Sequence, residues 1–251
     1  MQKLLNWQCV SRINLRLRTL FDAGYLDRRF VPVLKGSSPA IYLLGTASVA
    51  ALAEDLNEDH SRLQRFRHQD KHYSDVFMRH ALAVSEFAVA MQMSCNGTGH
   101  MRWLKWLNDR LLLQVCNDSV ASGEHTLKPD GYGRYALGER AFNFFLELDT
   151  GSESITRLHK KIQLYQRFRT DGAFQARFGM KSFRLLIVTL SDKRARSLTS
   201  ALREPDQLRI WTATLASAAT APLFAPVWRR IGQTELSSLH PSGIEQIRGS
   251  L

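Results

Sequence analysis

The ten residues from Arg140 to Asp149, RAFNFFLELD, are the most strongly patterned strand in the chain. Side chains on a strand alternate between faces. Phe144, Leu146 and Leu148 therefore point one way, onto a core, while Phe145, Glu147 and Asp149 point the other. A carboxylate inside an apolar strand needs a partner, and here two stand about 7 Å apart along the chain. That spacing lets them share one cation, or hold one cation and one water. Asp130, after Pro129, begins the preceding strand of a hairpin and reaches the same point, unless it is only the turn residue of PDG. Hard oxygen ligands of this kind select Mg²⁺ or Mn²⁺, ions that activate water and stabilise charge on a phosphate undergoing attack.

Around this strand the pattern reads α, β, β, β, α, β. SDVFMRHALAVSEFAVAMQM (residues 74–93) is a long helix, MRWLKWLN (101–108) and YGRYAL (132–137) are strands, and FRLLIVTLS (183–191) is a buried strand. After Asp149 a capping box, Thr150 to Glu153, opens a helix that runs to about Phe168. At 100° per residue, Ile155, Leu158, Ile162 and Tyr165 form its buried stripe. Lys161 flanks that stripe beside Tyr165 and is placed to approach a scissile phosphate, whereas Lys160 faces solvent. Further on, a helix and another strand follow, and APVWRR packs Trp228 and exposes Arg229 and Arg230. Lys193, Arg194 and Arg196 either track a DNA backbone or form a solvated helix face.

Charge points to the partner. Lys plus Arg outnumber Asp plus Glu by 34 to 23, a formal net charge of +11. Such a surplus favours a polyanion, nucleic acid before an anionic membrane. No apolar run approaches a membrane span and no secretory core opens the chain, so a cytoplasmic protein without membrane insertion is expected. Cys9, Cys95 and Cys116 have no C-x-x-C spacing, which argues against a disulfide framework or a zinc site.

The basic residues concentrate near the start. Ser11 caps a helix with Ile13, Leu17, Leu20 and Phe21 on its apolar stripe and Gly24 at its end; two short strands joined by a Pro/Gly/Ser loop follow. A helix and then a basic hairpin is the pattern of a recognition helix and wing, the alternative being an ordinary amphipathic helix with a hairpin; the clustered charge favours the first. Arg12, Arg16, Arg18, Arg28, Arg29 and Lys35 are the expected DNA contacts. A whole winged helix needs two earlier helices, so either residues 1–50 are an abbreviated winged-helix segment, with QKLLNW as a remnant helix, or the chain is trimmed; residues 51–73 read as a helical connector. His68 and His72 have the i, i+4 spacing of a metal pair, but their charged neighbours and the lack of an H-E-x-x-H pattern argue against one.

Pro129-Asp130, Glu147-x-Asp149 and then Lys161, four residues before Tyr165, resemble the PD-(D/E)XK nuclease fold with its lysine moved onto the following helix. More narrowly, PDG…FFLELDTGSES…KIQLY behind a winged-helix segment resembles the replication-relaxation family, in particular MOBC-type relaxases of mobilisable plasmids. The resemblance implies an α/β (α+β) protein whose residues 74–251 form a nuclease-like domain, a mixed central sheet flanked by helices. It implies a relaxase that nicks one strand of plasmid DNA at the origin of transfer with Mg²⁺ or Mn²⁺, alongside other mobilisation proteins such as an accessory or coupling protein. Asp130 and Glu147 would be metal ligands and Lys161 the electrostatic catalyst. Asp149, standing where the nuclease motif has its lysine, would be a further ligand or orient water, or else favour the helix N-terminus. Glu86 matches an acid that completes the metal shell; His80 is either a positioning residue or, as a lone helical histidine more often is, structural. Tyr165 is either a packing and positioning residue or a covalent nucleophile. The alternative is a DNA-binding accessory protein on an inactivated nuclease fold; a nuclease without origin specificity is more remote.

Overall fold

The computed structural model describes residues 9–33, 35–36, 38–117, 127–151 and 153–240. The remnant helix expected over QKLLNW lies outside them. The described residues form a mixed α+β protein with nine helices, a two-stranded sheet and a seven-stranded sheet. The chain divides into two compact units, Met1–Ala81 and Leu82–Leu251.

In the first unit, helix α1 (Val10–Asp22) buries Ile13 and Leu17 and ends before Gly24, whose φ of +73° is open to glycine at little cost. Its N-cap is Cys9 and no side chain caps it, so Ser11 lies inside the helix instead of at its cap. Strands β1 (Leu26–Phe30) and β2 (Ala40–Leu44) pair antiparallel as expected, with Arg28 across from Tyr42. Helices α2 (Thr46–Leu56) and α3 (His60–His72) fill the stretch read as a connector, and α3 is tied to the hairpin. Asp27 on β1 accepts from Arg67 at 3.1 Å and pairs with Lys71 at 2.8 Å. Helix α4 (Asp75–Asn96) begins in this unit and continues into the next.

The second unit is built on the seven-stranded sheet. Strands β3 (Met101–Asn108), β4 (Gly131–Leu137) and β5 (Arg140–Asp149) run as an antiparallel meander; β6 (Arg184–Thr189) and β7 (Arg209–Thr214) then add parallel to β5. The short β8 (Trp228–Arg230) and β9 (Leu236–Ser237) close the edge antiparallel. The sequence pattern locates α4, β3, β4, β5 and β6, and misses two short helices, α5 (Asp109–Asn117) and α7 (Ala173–Phe178). Helix α6 (Ile155–Thr170) starts from a different cap than expected: its N-cap is Ser154, whose hydroxyl accepts from Arg157 N. Helix α8 (Asp192–Ala201) crosses from β6 to β7, and a single turn, α9 (Leu215–Ala218), follows β7.

Both faces of this sheet are covered, and that corrects the reading of β5. Phe144, Leu146 and Leu148 pack with Phe87 and Met91 of α4 and with Trp228. Phe145, on the opposite face, is fully buried among Leu158, Ile162 and Tyr165 of α6, Phe174 of α7 and Leu198 of α8. A parallel β5–β6–β7 core requires crossover helices, and the helices cover the face that the carboxylates share. Glu147 and Asp149 therefore lie beneath helices and not on an open sheet surface. Glycine is required at one point beside them: a Cβ on Gly131 would lie 2.3 Å from the Trp106 ring.

Candidate functional site

The site forms where the carboxyl end of β5 meets α6. Helix α6 buries Leu158, Ile162 and Tyr165, as its sequence periodicity requires. That rotation puts Lys161 beside the stripe, half-buried, and leaves Lys160 exposed. Glu147, only 3% exposed, receives both groups: Lys161 Nζ donates to Oε2 and the Tyr165 hydroxyl donates to Oε1. Asp130 precedes β4 by one residue, so the register that sets Gly131 across from Leu146 brings Asp130 alongside Glu147. Its Oδ2 accepts from Leu148 N at 2.7 Å, and its own N–H donates to Leu146 O at 3.1 Å, which fixes the acid to β5. The aspartate of PDG is thus a structural partner of the acidic strand, beyond its role as a turn residue.

The electrostatics follow from burial. Loss of solvent pushes the Glu147 carboxyl up to about 8 against the pull of Lys161, and the charge of Asp130 adds to the rise. Burial opposes the Lys161 charge, yet Glu147 and Asp130 hold the ammonium above its ordinary value. Burial and then Glu147 keep the Tyr165 phenol protonated far beyond the usual range, so at neutral pH it is a hydrogen-bond donor and not a phenolate. These directions describe a cluster built around a buried acid and a buried phenol, with one firmly charged cation.

Asp149 takes no part in that cluster. Its Oδ1 accepts from Gly151 N at 2.7 Å and its Oδ2 from Arg194 Nε at 2.6 Å, with the carboxylate side chain 2% exposed. Arg194 also donates to Glu153 O, tying the segment before α6 to α8. The two acids expected to share an ion are therefore held by different helices, Glu147 by α6 and Asp149 by α8. Sequence reasoning leaves Arg194 as a DNA contact or a solvated base. A signal exists, since α8 follows β6 and a parallel crossover starts its helix near the carboxyl ends of the strands, beside Asp149.

Glu86 does not join the cluster either. It is exposed on α4, whose Val84, Phe87, Met91 and Cys95 pack on the Phe144–Leu146 face, opposite to Glu147. His80 belongs to the first unit, where its ring lies 6.4 Å from that of Phe77. Among the described residues, no three His, Cys, Asp or Glu side chains form a metal-holding group. What the geometry does assemble is a pair of carboxylates, one ammonium and one phenol. Two carboxylates suffice for Mg²⁺, which keeps several waters and takes substrate phosphate oxygens as further ligands. Asp130 and Glu147 fit such an ion by donor type.

Of the six expected DNA contacts, Arg12, Arg16, Arg18, Arg28 and Lys35 are exposed. Arg18 pairs with Asp22 across one turn at 3.7 Å, and Arg28 lies over Phe21 with 4.5 Å from its guanidinium carbon to the ring centre. Arg29 departs from the expectation: it donates to Tyr73 O at 2.6 Å and pairs with Asp75, joining β1 to the start of α4. In the second unit Arg230 is likewise consumed, by a two-pronged pair with Glu204 at 2.8 and 3.1 Å, and Arg229 donates to Thr234 O. No described helix is long and apolar enough to cross a membrane.

Comparison with known proteins adds one finding. No curated protein and no solved structure matches the chain. A family model described as replication-relaxation matches residues 5–182, from before α1 through α7, and so includes Asp130, Glu147, Lys161 and Tyr165 while ending before Arg194. That span is well over half of the 251 residues. The chain belongs to the replication-relaxation family.

Proposed function

We propose that this protein is a MOBC-type plasmid mobilisation relaxase that nicks one DNA strand at the origin of transfer by metal-dependent phosphodiester cleavage, with the Asp130–Glu147–Lys161 cluster as its active site. The observation that carries this reading is the delivery of Lys161 from α6 to Glu147 on β5, with Asp130 alongside. With the short helices α5 and α7 set aside as insertions, the order α4, β3, β4, β5, α6, β6 supports a PD-(D/E)XK nuclease core. The α1–hairpin segment, with exposed Arg12, Arg16 and Arg28, supports a winged-helix contact with DNA. A bound divalent ion would be held by Asp130 and Glu147 and would supply charge neutralisation at the phosphate and a more acidic water. Lys161 adds a positive charge beside the same carboxylate and stabilises the charge that develops on the phosphate oxygens. Tyr165 orients Glu147 by hydrogen bonding from a fully buried position, which favours positioning over covalent attack.

A second reading has its own support. Both Glu147 oxygens are already engaged by protein groups, and three metal-holding side chains do not converge among the described residues. These facts favour an accessory protein that binds DNA on an inactivated nuclease fold. Purified protein and supercoiled plasmids carrying the cognate or a scrambled origin, with Mn²⁺, Mg²⁺ or chelator, separate the two. Cleavage of the cognate plasmid alone, only with metal, is the expected result. Salt-sensitive origin binding with no open circles under any condition would establish the accessory reading instead, and equal nicking of both plasmids would remove origin specificity. Denaturing electrophoresis of the cut DNA is expected to show no attached protein.

A further inference from the structure

At the other end of the same strands, three arginines line one cleft. A cavity of about 400 Å³ opens where β5, β6 and β7 begin, lined by Arg169, Arg184, Arg209, Phe142 and Gln207 among others, with no acid among the described lining residues. Arg184 is held in place: its Nη1 donates to Leu239 O at 3.0 Å, and its guanidinium carbon stacks 5.3 Å from the Phe142 and Trp211 ring centres. Arg209 is exposed and 3.6 Å from Glu204, an acid whose closer bonds go to Arg230. Arg169 comes from the last turn of α6. Burial, and then the charge of the neighbouring Arg209, pull its guanidinium below the ordinary value. Gln207 enters the rim with a φ of +67°, a region that residues other than glycine rarely occupy.

We infer that this cleft is a phosphate-binding subsite for a DNA strand, built by Arg169, Arg184 and Arg209 and distinct from the acid pair. Planar guanidinium groups bind phosphate oxygens in two-pronged fashion, and a pre-fixed Arg184 loses little freedom in doing so. The half-buried Phe142 offers an aromatic edge beside the arginines, the combination that single strands use. Helix α6 argues for a strand over a lone nucleotide. It carries Lys161 at one site and Arg169 at the other, eight residues or about 12 Å apart along the axis, a distance that one DNA strand covers with successive phosphates. Binding in the cleft does not require the acid pair to cleave.

The test uses the full chain, a fluorescent oligothymidylate of about a dozen nucleotides, and anisotropy titrations over a range of salt. Arg169→Gln/Arg209→Gln is expected to weaken binding and to lower the slope of log affinity against log salt by roughly 1.4, about 0.7 for each phosphate no longer neutralised. Arg102→Gln/Lys105→Gln, on the far edge strand β3, removes the same charge and should change the slope little. Arg209→Gln alone, at an exposed position, is expected to give about half the effect and guards against misfolding of the double variant. Equal losses from the cleft and β3 variants would reduce the effect to net charge and overturn the inference. Displacement of the oligonucleotide by thymidine monophosphate at equal phosphate concentration would overturn it too, by marking a small-anion pocket. Glu147→Gln is expected to abolish nicking while leaving this binding intact, so loss of the cleavage reading and loss of this one are told apart.

Discussion

Replacing Arg194 by methionine tests whether Asp149 belongs to the framework or to the chemistry. The Asp149 carboxylate is 2% exposed and the Arg194 side chain 20%, so this is an ion pair at the buried end of the range and not a surface bridge worth at most about 1 kcal/mol. Methionine keeps much of the packing volume and leaves Asp149 with the Gly151 amide as its hydrogen-bond partner. Stranding a buried charge in this way costs about 3–5 kcal/mol. For a chain of this size that corresponds to roughly 6–20 °C in Tm. Replacing both residues, Arg194→Met with Asp149→Leu, removes the stranded charge and is expected to recover most of the loss. Urea titration followed by circular dichroism measures both variants. A loss below about 1 kcal/mol for Arg194→Met would mean that Asp149 is hydrated or ion-bound in solution, and would refute its assignment to the framework.

Two further predictions concern the same chain. His240 is buried with Nε2 at 2.7 Å from the Tyr135 hydroxyl, and burial, with Arg184 nearby, pulls its imidazole down to about 4. Its folded value lies below the unfolded one of about 6.5, so its contribution is fully present above pH 6.5 and is lost as pH falls toward 4. His240→Gln should flatten stability between about pH 4 and 6.5 in denaturant titrations, and an unchanged profile would contradict the buried neutral state. The thiols should divide by exposure. Burial pushes Cys95 up to about 12 and Cys116 up to about 11, while Cys9 is exposed. A thiol reagent should therefore modify one cysteine of three in the native protein and all three in urea; rapid native labelling of Cys95 would refute this.

Much of the second unit is legible in the sequence because its signals are local. The period-2 pattern of β5, the four- and three-residue spacing of Leu158, Ile162 and Tyr165, and the placing of Lys161 over Lys160 each follow from residues close in sequence. Helix caps are less secure, since Thr150 and Ser154 are both good caps and only the path of the chain after Asp149 chooses between them. Contacts between distant segments are not legible. Nothing local to β5 says that Arg194, 45 residues downstream, takes Asp149. Nothing local to α4 says that its apolar stripe covers the face away from Glu147, nor that Arg29 is spent on Asp75. Lone charged residues in a basic chain look alike until their neighbours are known.

If Asp130, Glu147 and Lys161 form one metal-dependent cleavage site, the single-turnover nicking rate must fall when any one of them is replaced. Asp130→Asn, Glu147→Gln and Lys161→Met, each checked for a native circular dichroism spectrum, would be assayed at fixed Mn²⁺ on supercoiled plasmid carrying the cognate origin. Each is expected to lose at least about 10²-fold in rate, the scale set by removing one electrostatic group from such a site. Lys160→Met should cut at the parent rate. Nicking by folded Asp130→Asn and Glu147→Gln at the parent rate would contradict the account.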